Sequence, residues 1–336
     1  MQEVIKPVDK ELIKSELTPD AFLRKTNKAG NEVYIIDGNK APNCMREIGR
    51  LREISFRLGG GGSGNELDID SHDVGNNPYG QIIVWNPDDE EIIGGYRFKF
   101  GSQVTFLDDG TPDMAICHIF NLTEKFKKEY LPYTLELGRA FVQPKYQSIQ
   151  GGIKSLYALD NLWDGIGAIV AEAPDTQYLI GKVTIYSTTD IEARKAMIYY
   201  LDKYFFDKEN IIIPKHKEIT TAEEKAQFDK ILNGNDYKEN FKKLKEFVQS
   251  KKECIPPLIH SYLDLSSTLI TFGTVFDPDF GNIYDTGMMI TIKDIKSIKK
   301  ERYMKMKTSK DGKKKELEAI LQKMIEADAV LLEWPD

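Results

Sequence analysis

Residues 81–100 read QIIVWNPDDEEIIGGYRFKF. Two runs rich in β-branched and aromatic residues, Gln81–Trp85 and Ile92–Phe100, flank NPDDEE, a segment of proline and acidic turn formers. That pattern predicts an antiparallel hairpin. Upstream, Glu32–Asp37 (EVYIID) reads as a strand. Pro42–Leu58 reads as a helix with Met45, Ile48, Leu51, Ile54 or Ser55, and Leu58 on one face. Downstream, Leu122–Tyr130 reads as a short basic helix, and Tyr133–Gln143 (YTLELGRAFVQ) as a strand that Pro144 ends. Gly151–Ala173 reads as a long apolar helix, Tyr178–Ser187 as a strand, and Asp190–Phe205 as a helix with Asp190 placed to cap it. Further strands are expected at Leu269–Phe276 and Met288–Ile292. Hairpins, then strand–helix alternation, then strands again imply an α/β (α+β) fold. Its sheet is mixed and mostly antiparallel, with helices on both faces.

The flanking segments complete the organisation. Residues 1–30 form an N-terminal arm, and the main domain covers residues 31–292. Within it, residues 207–253 are a charged helical insert, and Pro256–Leu265 is a short helix opened by prolines. Residues 293–336 form a helical tail, and Lys293–Lys315 holds a local net charge of +8 in a chain whose total is −7. The run GGGGSG (Gly59–Gly64) reads as a mobile loop; no Lys-Ser or Lys-Thr follows it, which excludes a Walker-type phosphate loop.

Composition narrows the class. The chain has 336 residues, of which 41% are hydrophobic and 29% charged, enough apolar content for a packed core. It is neither a disordered chain nor a generally basic nucleic-acid binder. No apolar run reaches the length of a membrane span, and the charged N-terminus lacks a signal peptide's apolar stretch. The three cysteines are scattered without a CxxC pair, which fits a reducing cytoplasm. The four histidines show no HExxH spacing, so no metal is expected.

The informative residues are charges inside apolar strands. Arg97 lies in IIGGYRFKF, and Glu136 and Arg139 in YTLELGRAFVQ. Arg52 lies four residues before Phe56 on one helical face. Asp70, His72 and Asp73 crowd into DSHD just before QIIVW. In a regular strand Glu136 and Arg139 point to opposite faces; a bulge would turn both towards one cleft. A buried arginine needs a carboxylate, and DSHD supplies two. Two readings stay open from these residues: separate ion pairs on a solvated face, or one acid–base network at a cleft.

In this order and spacing the motifs resemble the acyl-carrier-protein-dependent branch of the GNAT acyltransferases. That branch includes the N-acyl-homoserine-lactone synthases and the ornithine-lipid and glycine-lipid N-acyltransferases, often labelled hemolysin-like. The resemblance lies in Arg52-x-x-x-Phe56, Asp70-Ser-His-Asp73, Gly95-Tyr96-Arg97 and Glu136-Leu-Gly-Arg139. It narrows to the lipid-forming members at Leu162-Trp163-Asp164-Gly165-Ile166-Gly167, at Tyr178-Leu-Ile-Gly181, and at Ile255–Ile259 with Tyr262-Leu263 and Asp277–Phe280.

The resemblance implies amide formation from a fatty-acyl thioester on acyl-phosphopantetheine, with no permanently bound cofactor. Glu136, Asp70, Asp73 and Arg139 would be catalytic, and Arg52, Phe56, Arg97, Phe141, Val142 and Trp163 would bind substrate. The phosphopantetheine loop would be Gln147-Ser-Ile-Gln150-Gly151-Gly152. There Gln150 stands where CoA-using members carry the first glycine of R/Q-x-x-G-x-G/A, which suits acyl carrier protein better than CoA. Lys125, Lys127, Lys128, Lys145 and Lys154 would dock that acidic partner. The acceptor would be a small amino acid, with glycine ahead of ornithine. The basic tail would bring the cytoplasmic enzyme to an anionic membrane surface. A CoA-dependent acyltransferase and a non-catalytic acyl-chain or carrier-protein binding module are the alternatives. A pore former is disfavoured for want of a long amphipathic segment.

Overall fold

In the computed structural model, which describes residues 1–147 and 157–304, Gly80–Asn86 and Glu91–Phe100 pair as the expected hairpin, with Ile82 opposite Tyr96. In chain order the strands are β1 (Phe22–Lys25), β2 (Glu32–Asp37), β3 (Gly80–Asn86), β4 (Glu91–Phe100) and β5 (Phe120–Leu122), then β6 (Thr134–Val142), β7 (Tyr178–Ile185), β8 (Ile212–Pro214), β9 (Ile270–Asp277) and β10 (Ile283–Thr291). The helices are α1 (Lys10–Glu16), α2 (Pro42–Gly59), α3 (Glu124–Glu129), α4 (Ala158–Glu172) and α5 (Ile191–Phe205), then α6 (Ala222–Ile231), α7 (Tyr237–Ser250), α8 (Pro257–Leu265) and α9 (Ser297–Tyr303).

Eight strands form one sheet in the order β1-β2-β3-β4-β6-β7-β10-β9, antiparallel except for the β6–β7 pair. This is the mixed, mostly antiparallel sheet expected. The first residues of the long helix expected from Gly151 lie outside the described residues; from Ala158 it runs as α4. Asp190 caps α5 as expected, accepting from the Ala193 amide. The insert is helical through α6 and α7, and also supplies β8, which pairs with β5.

Strand alternation sorts the side chains into two layers. Val33, Ile35, Ile82, Tyr96, Phe98, Leu135, Leu137, Leu179 and Val183 pack on α4 and α5 in one apolar cluster. Burying each large apolar side chain there contributes about 1.5–3 kcal/mol. The opposite face carries Tyr34, Ile36, Ile83 and Trp85 under α2 at one end. Towards the sheet centre that same face turns polar, with Gln81 opposite Arg97 across β3 and β4, and Lys99 opposite Glu136 across β4 and β6.

α2 ends as its glycines dictate. Gly60 takes the left-handed conformation, φ 97°, and its amide bonds back to Arg57 O. The Gly-rich run read as a mobile loop is fastened by Glu53. That buried carboxylate accepts from the amides of Ser63 at 2.9 Å and Gly64 at 2.8 Å. Burial alone would raise the Glu53 pKa, but its bonds to Arg57, Ser63 and Gly64 hold it below the usual range.

Candidate active site

β6 and β7 pair only from Thr134↔Tyr178 to Leu137↔Gly181. Gly181 occupies the last pair because a Cβ there would meet the Leu137 carbonyl oxygen at 2.6 Å. Beyond that point β6 changes course. Its register with β4 jumps from Arg97↔Gly138 to Gly95↔Phe141, which loops out Arg139 and Ala140. Arg139 adopts a φ of 49°, rare for a residue with a side chain and typical of a bulge. Gly94 permits the close approach, since a Cβ there would meet Phe141 O at 2.3 Å. The bulge is the feature that brings Glu136 and Arg139 to one place.

The parted strands leave a cleft of about 810 Å³ that passes from one side of the sheet to the other. On the α2 side it is lined by Asp70, His72, Arg97, Glu136, Arg139, Lys182 and Asp285. On the α4 side it is lined by Ala158, Leu159 and Leu162, with Pro257 and Leu258 of α8. One end is therefore charged and the other apolar, with the strand fork between them.

Three arginines and three aspartates form the wall of the charged end. Arg52 Nη1 donates to Asp73 Oδ1 at 2.9 Å, both side chains being fully buried. Arg97 Nη1 reaches both oxygens of Asp70 at 2.8 Å. Arg139 Nε lies 3.0 Å from Asp68 Oδ2, an ion contact whose angles do not make a hydrogen bond, and its Nη2 donates to Asp70 at 3.4 Å. Gln81 bridges the set, accepting from Arg52 and donating to Asp73. Burial would raise the Asp70 pKa, but its contact with His72 and the charge of Arg97 hold it well below the usual carboxylate range. For Asp73 the charges of Arg52 and Arg97 likewise overcome burial and lower it. Both therefore stay ionised as counter-charges and are poor proton acceptors. Charge pairs this deep are costly to break by removing one member, so the wall is stiff.

Glu136 is different. It is buried on the cleft floor and accepts from the Ile116 amide at 2.8 Å and from the Tyr79 hydroxyl. Tyr79 in turn accepts from the Ala115 amide at 2.9 Å. Burial pushes the Glu136 carboxyl above the usual range, and the Tyr79 bond and the Arg97 charge offset this only in part. A carboxyl with raised proton affinity at a cleft is suited to accept a proton from an ammonium or amine.

The structure thus joins Arg52, Asp70, Asp73, Arg97, Glu136 and Arg139. Phe56, Phe141, Val142 and Gln147 line the cleft, with Gln147 Nε2 donating to Val142 O at 2.6 Å. Arg52 and Asp73 stand behind the lining, so their contact with the cleft runs through Arg97 and Asp70. Trp163 points elsewhere: it packs edge-on against Tyr262 at 5.8 Å beside a separate cavity of about 520 Å³. Gln150, Gly151, Gly152 and Lys154 lie outside the described residues.

The basic docking residues fall into two groups. Lys125, Lys127 and Lys128 sit on α3 before β6, where Lys125 pairs with Glu209 and Lys127 with Glu124. Lys145 follows β6 and pairs with Glu91 at 2.8 Å. The nine residues of β6 separate them, a span of roughly 30 Å at strand rise. Part of the tail's charge is spent internally, on Asp264 by Lys296 and Lys299 and on Asp160 by Arg302.

Several residues in or behind the cleft were given no role by the sequence reading. Asp68, Tyr79, Lys182, Thr184 and Asp285 all contribute; the signal for the last three was polar residues at alternate positions of apolar strands. His118, Asp277 and Asp279 also meet at the rim, with His118 Nε2 at 3.5 Å from Asp277 and 3.2 Å from Asp279. Nothing in their spacing linked these three. Among the described residues no helix is long and apolar enough to cross a membrane.

Comparison with known proteins agrees with this geometry. Residues 51–156 match the acetyltransferase (GNAT) domain model, a stretch that holds the second half of α2, the DSHD loop and β3 to β6. A glycine N(alpha)-acyltransferase of Phocaeicola vulgatus is 46% identical over 305 residues, covering 90% of this chain and 93% of that protein. A second glycine N(alpha)-acyltransferase, from Bacteroides thetaiotaomicron, is 46% identical over 305 residues, covering 90% of each chain. No solved structure matches.

Proposed function

The chain belongs to the glycine N(alpha)-acyltransferase family, and on that footing we propose that it moves a long, 3-hydroxylated fatty acyl group from acyl carrier protein to the amine of glycine. The observation that carries this reading is the fork between β6 and β7, charged on one side and apolar on the other, with Glu136 on its floor. An acyl chain fits the α4 side, and a small zwitterion the α2 side. The thioester carbonyl then lies at the fork, within reach of an amine facing Glu136.

The reaction needs one proton acceptor and balanced bond changes. Glu136, directly or through one water, takes a proton from the glycine ammonium and so frees the lone pair. The nitrogen bonds to the thioester carbonyl carbon, and the tetrahedral oxyanion draws on the backbone N–H of the bulged strand at Val142, which strand alternation turns away from β4. The Gln143 amide is not available for this, being given to Ile93 O at 2.9 Å. Collapse breaks the C–S bond, the thiolate takes the second proton that the attacking nitrogen sheds, Glu136 passes its proton to water, and an amide and a free carrier thiol leave. Asp70 and Asp73, held ionised by their arginines, fix the wall and need not titrate.

The donor assignment rests on the sequence, where Gln150 replaces a pyrophosphate-binding glycine. Lys145 lies beside the cleft residues Tyr146 and Gln147, whereas no residue of α3 lines the cleft. The tail beyond α9 carries the remaining basic charge towards an anionic membrane surface. The test is thiol release with matched acyl chains on carrier protein and on CoA, with glycine as acceptor. A strong preference for the carrier-bound chain is expected. Equal use of both donors would give the donor role to CoA as well, and the absence of glycine-dependent thiol release from either would overturn the reading.

A further inference from the structure

The charged end of the cleft contains a pair that the reaction just described does not use. Lys182 Nζ lies 2.8 Å from Asp285 Oδ2, and Thr184 donates to Asp285 Oδ1 at 2.6 Å. Asp285 is buried, whereas Lys182 keeps part of its side chain open to the cleft it lines. Lys182 is the first residue after the fork's apex at Gly181, and alternation puts it on the same face as Ile180, which pairs with Glu136. Strand spacing and rise then place Lys182 roughly 8 Å from Glu136, Cα to Cα.

Resting on the reading of the chain as a glycine acyltransferase, we propose that Lys182 receives the carboxylate of the acceptor amino acid and selects against acceptors with a second cation. The carboxylate carbon of an α-amino acid is two bonds from the nitrogen that must lose its proton. Its anchor must therefore lie beside the base, as Lys182 does, whereas the phosphate of a donor lies a whole pantetheine arm from the thioester. An ammonium has three N–H donors and cannot spend them all on one carboxylate oxygen, so Lys182 has donors left for a second anion. Arg97 and Arg139, the other cations of the cleft, are braced by Asp68 and Asp70. Both oxygens of Asp285 are engaged, so a second ammonium placed beside it, as in ornithine, meets the Lys182 charge. Asp285 and Thr184 are positioning residues in this arrangement.

The test compares glycine with glycinamide, which keeps the amine and lacks the carboxylate, in wild type, Lys182→Met and Lys182→Arg, with donor saturating. Loss of one charge-assisted hydrogen bond should raise the glycine KM roughly 10–100-fold in Lys182→Met. The glycinamide KM should hold, Lys182→Arg should restore discrimination, and Lys182→Met, with Asp285 released, should gain activity on ornithine. Unchanged glycine KM, an equal loss on both acceptors, or a shift confined to the donor KM would overturn the assignment. Wild type that acylates glycine while Lys182→Met shows one of those results refutes Lys182 alone; wild type that acylates no amino acid refutes the parent reading and this one with it.

Discussion

Glu136→Gln isolates the proton acceptor. The amide keeps the carboxylate's shape, so the Ile116 amide can still donate to the retained oxygen, now at 2.8 Å. The other position becomes an NH₂. Tyr79 donates to it in the wild type and would have to accept from it instead, while already accepting from Ala115. One hydrogen bond is forfeited, about 1 kcal/mol net. Against this, the variant removes a buried carboxyl whose ionisation burial opposes. Stability should therefore change by less than about 1 kcal/mol, and Tm by a few degrees at most. Activity should not be spared. Losing the base should lower the single-turnover rate by roughly 10²–10⁴. The wild-type rate should climb with pH along a limb set by Glu136, above the ordinary Glu value of 4.5, and the variant should lose that limb. The assay is thiol release under single-turnover conditions from pH 5 to 9, on protein checked by thermal melting. A folded variant with near wild-type rate and the same pH limb would refute Glu136 as the base.

Three further outcomes are expected. Arg52→Met leaves buried Asp73 without its nearest counter-charge, and should cost about 3 kcal/mol in urea denaturation at constant m; a cost below 1 kcal/mol would mean Gln81 and Arg97 suffice. Asp164, buried on α4 against Asn27, has its pKa pushed to about 6 by burial. Its folded value exceeds its unfolded one, so wild type loses stability as pH rises from about 4 to 7. The Tm difference between Asp164→Asn and wild type should grow over that window, and a constant difference would contradict the shift. Lys145→Glu should lower kcat/KM for the carrier-bound donor about tenfold at low salt, with the loss shrinking as the Debye length falls below roughly 8 Å. The α3 triple reversal of Lys125, Lys127 and Lys128 should have less effect, and the opposite ranking would move the docking surface to α3.

The regular elements were legible because each had a period and a boundary. The hairpin announced itself by alternation around NPDDEE, α2 by its apolar stripe, and α5 by the Asp190 cap. The fork was half legible: two charges three residues apart in an apolar strand pointed to a bulge, which the register jump at Gly95/Arg97 supplies. β1 and α1 were missed because four and seven residues are too short to carry a period. Tyr79, which follows the DSHD loop by six residues, was given no role because its ring counts as apolar and only its hydroxyl meets Glu136. Lys182 and Asp285 gave the same signal as Arg97. Their meaning depends on β7 pairing with β10 across about a hundred residues, which no local pattern encodes.

The most direct test of the central claim is a mass balance with isotopically labelled glycine and a 3-hydroxyacyl carrier protein, in which N-acylglycine and free carrier thiol are counted together. The account predicts that they appear one for one, that neither appears without glycine, and that Glu136→Gln suppresses both. Thiol released together with free fatty acid and no amide, or acyl donor bound and never turned over, would contradict it.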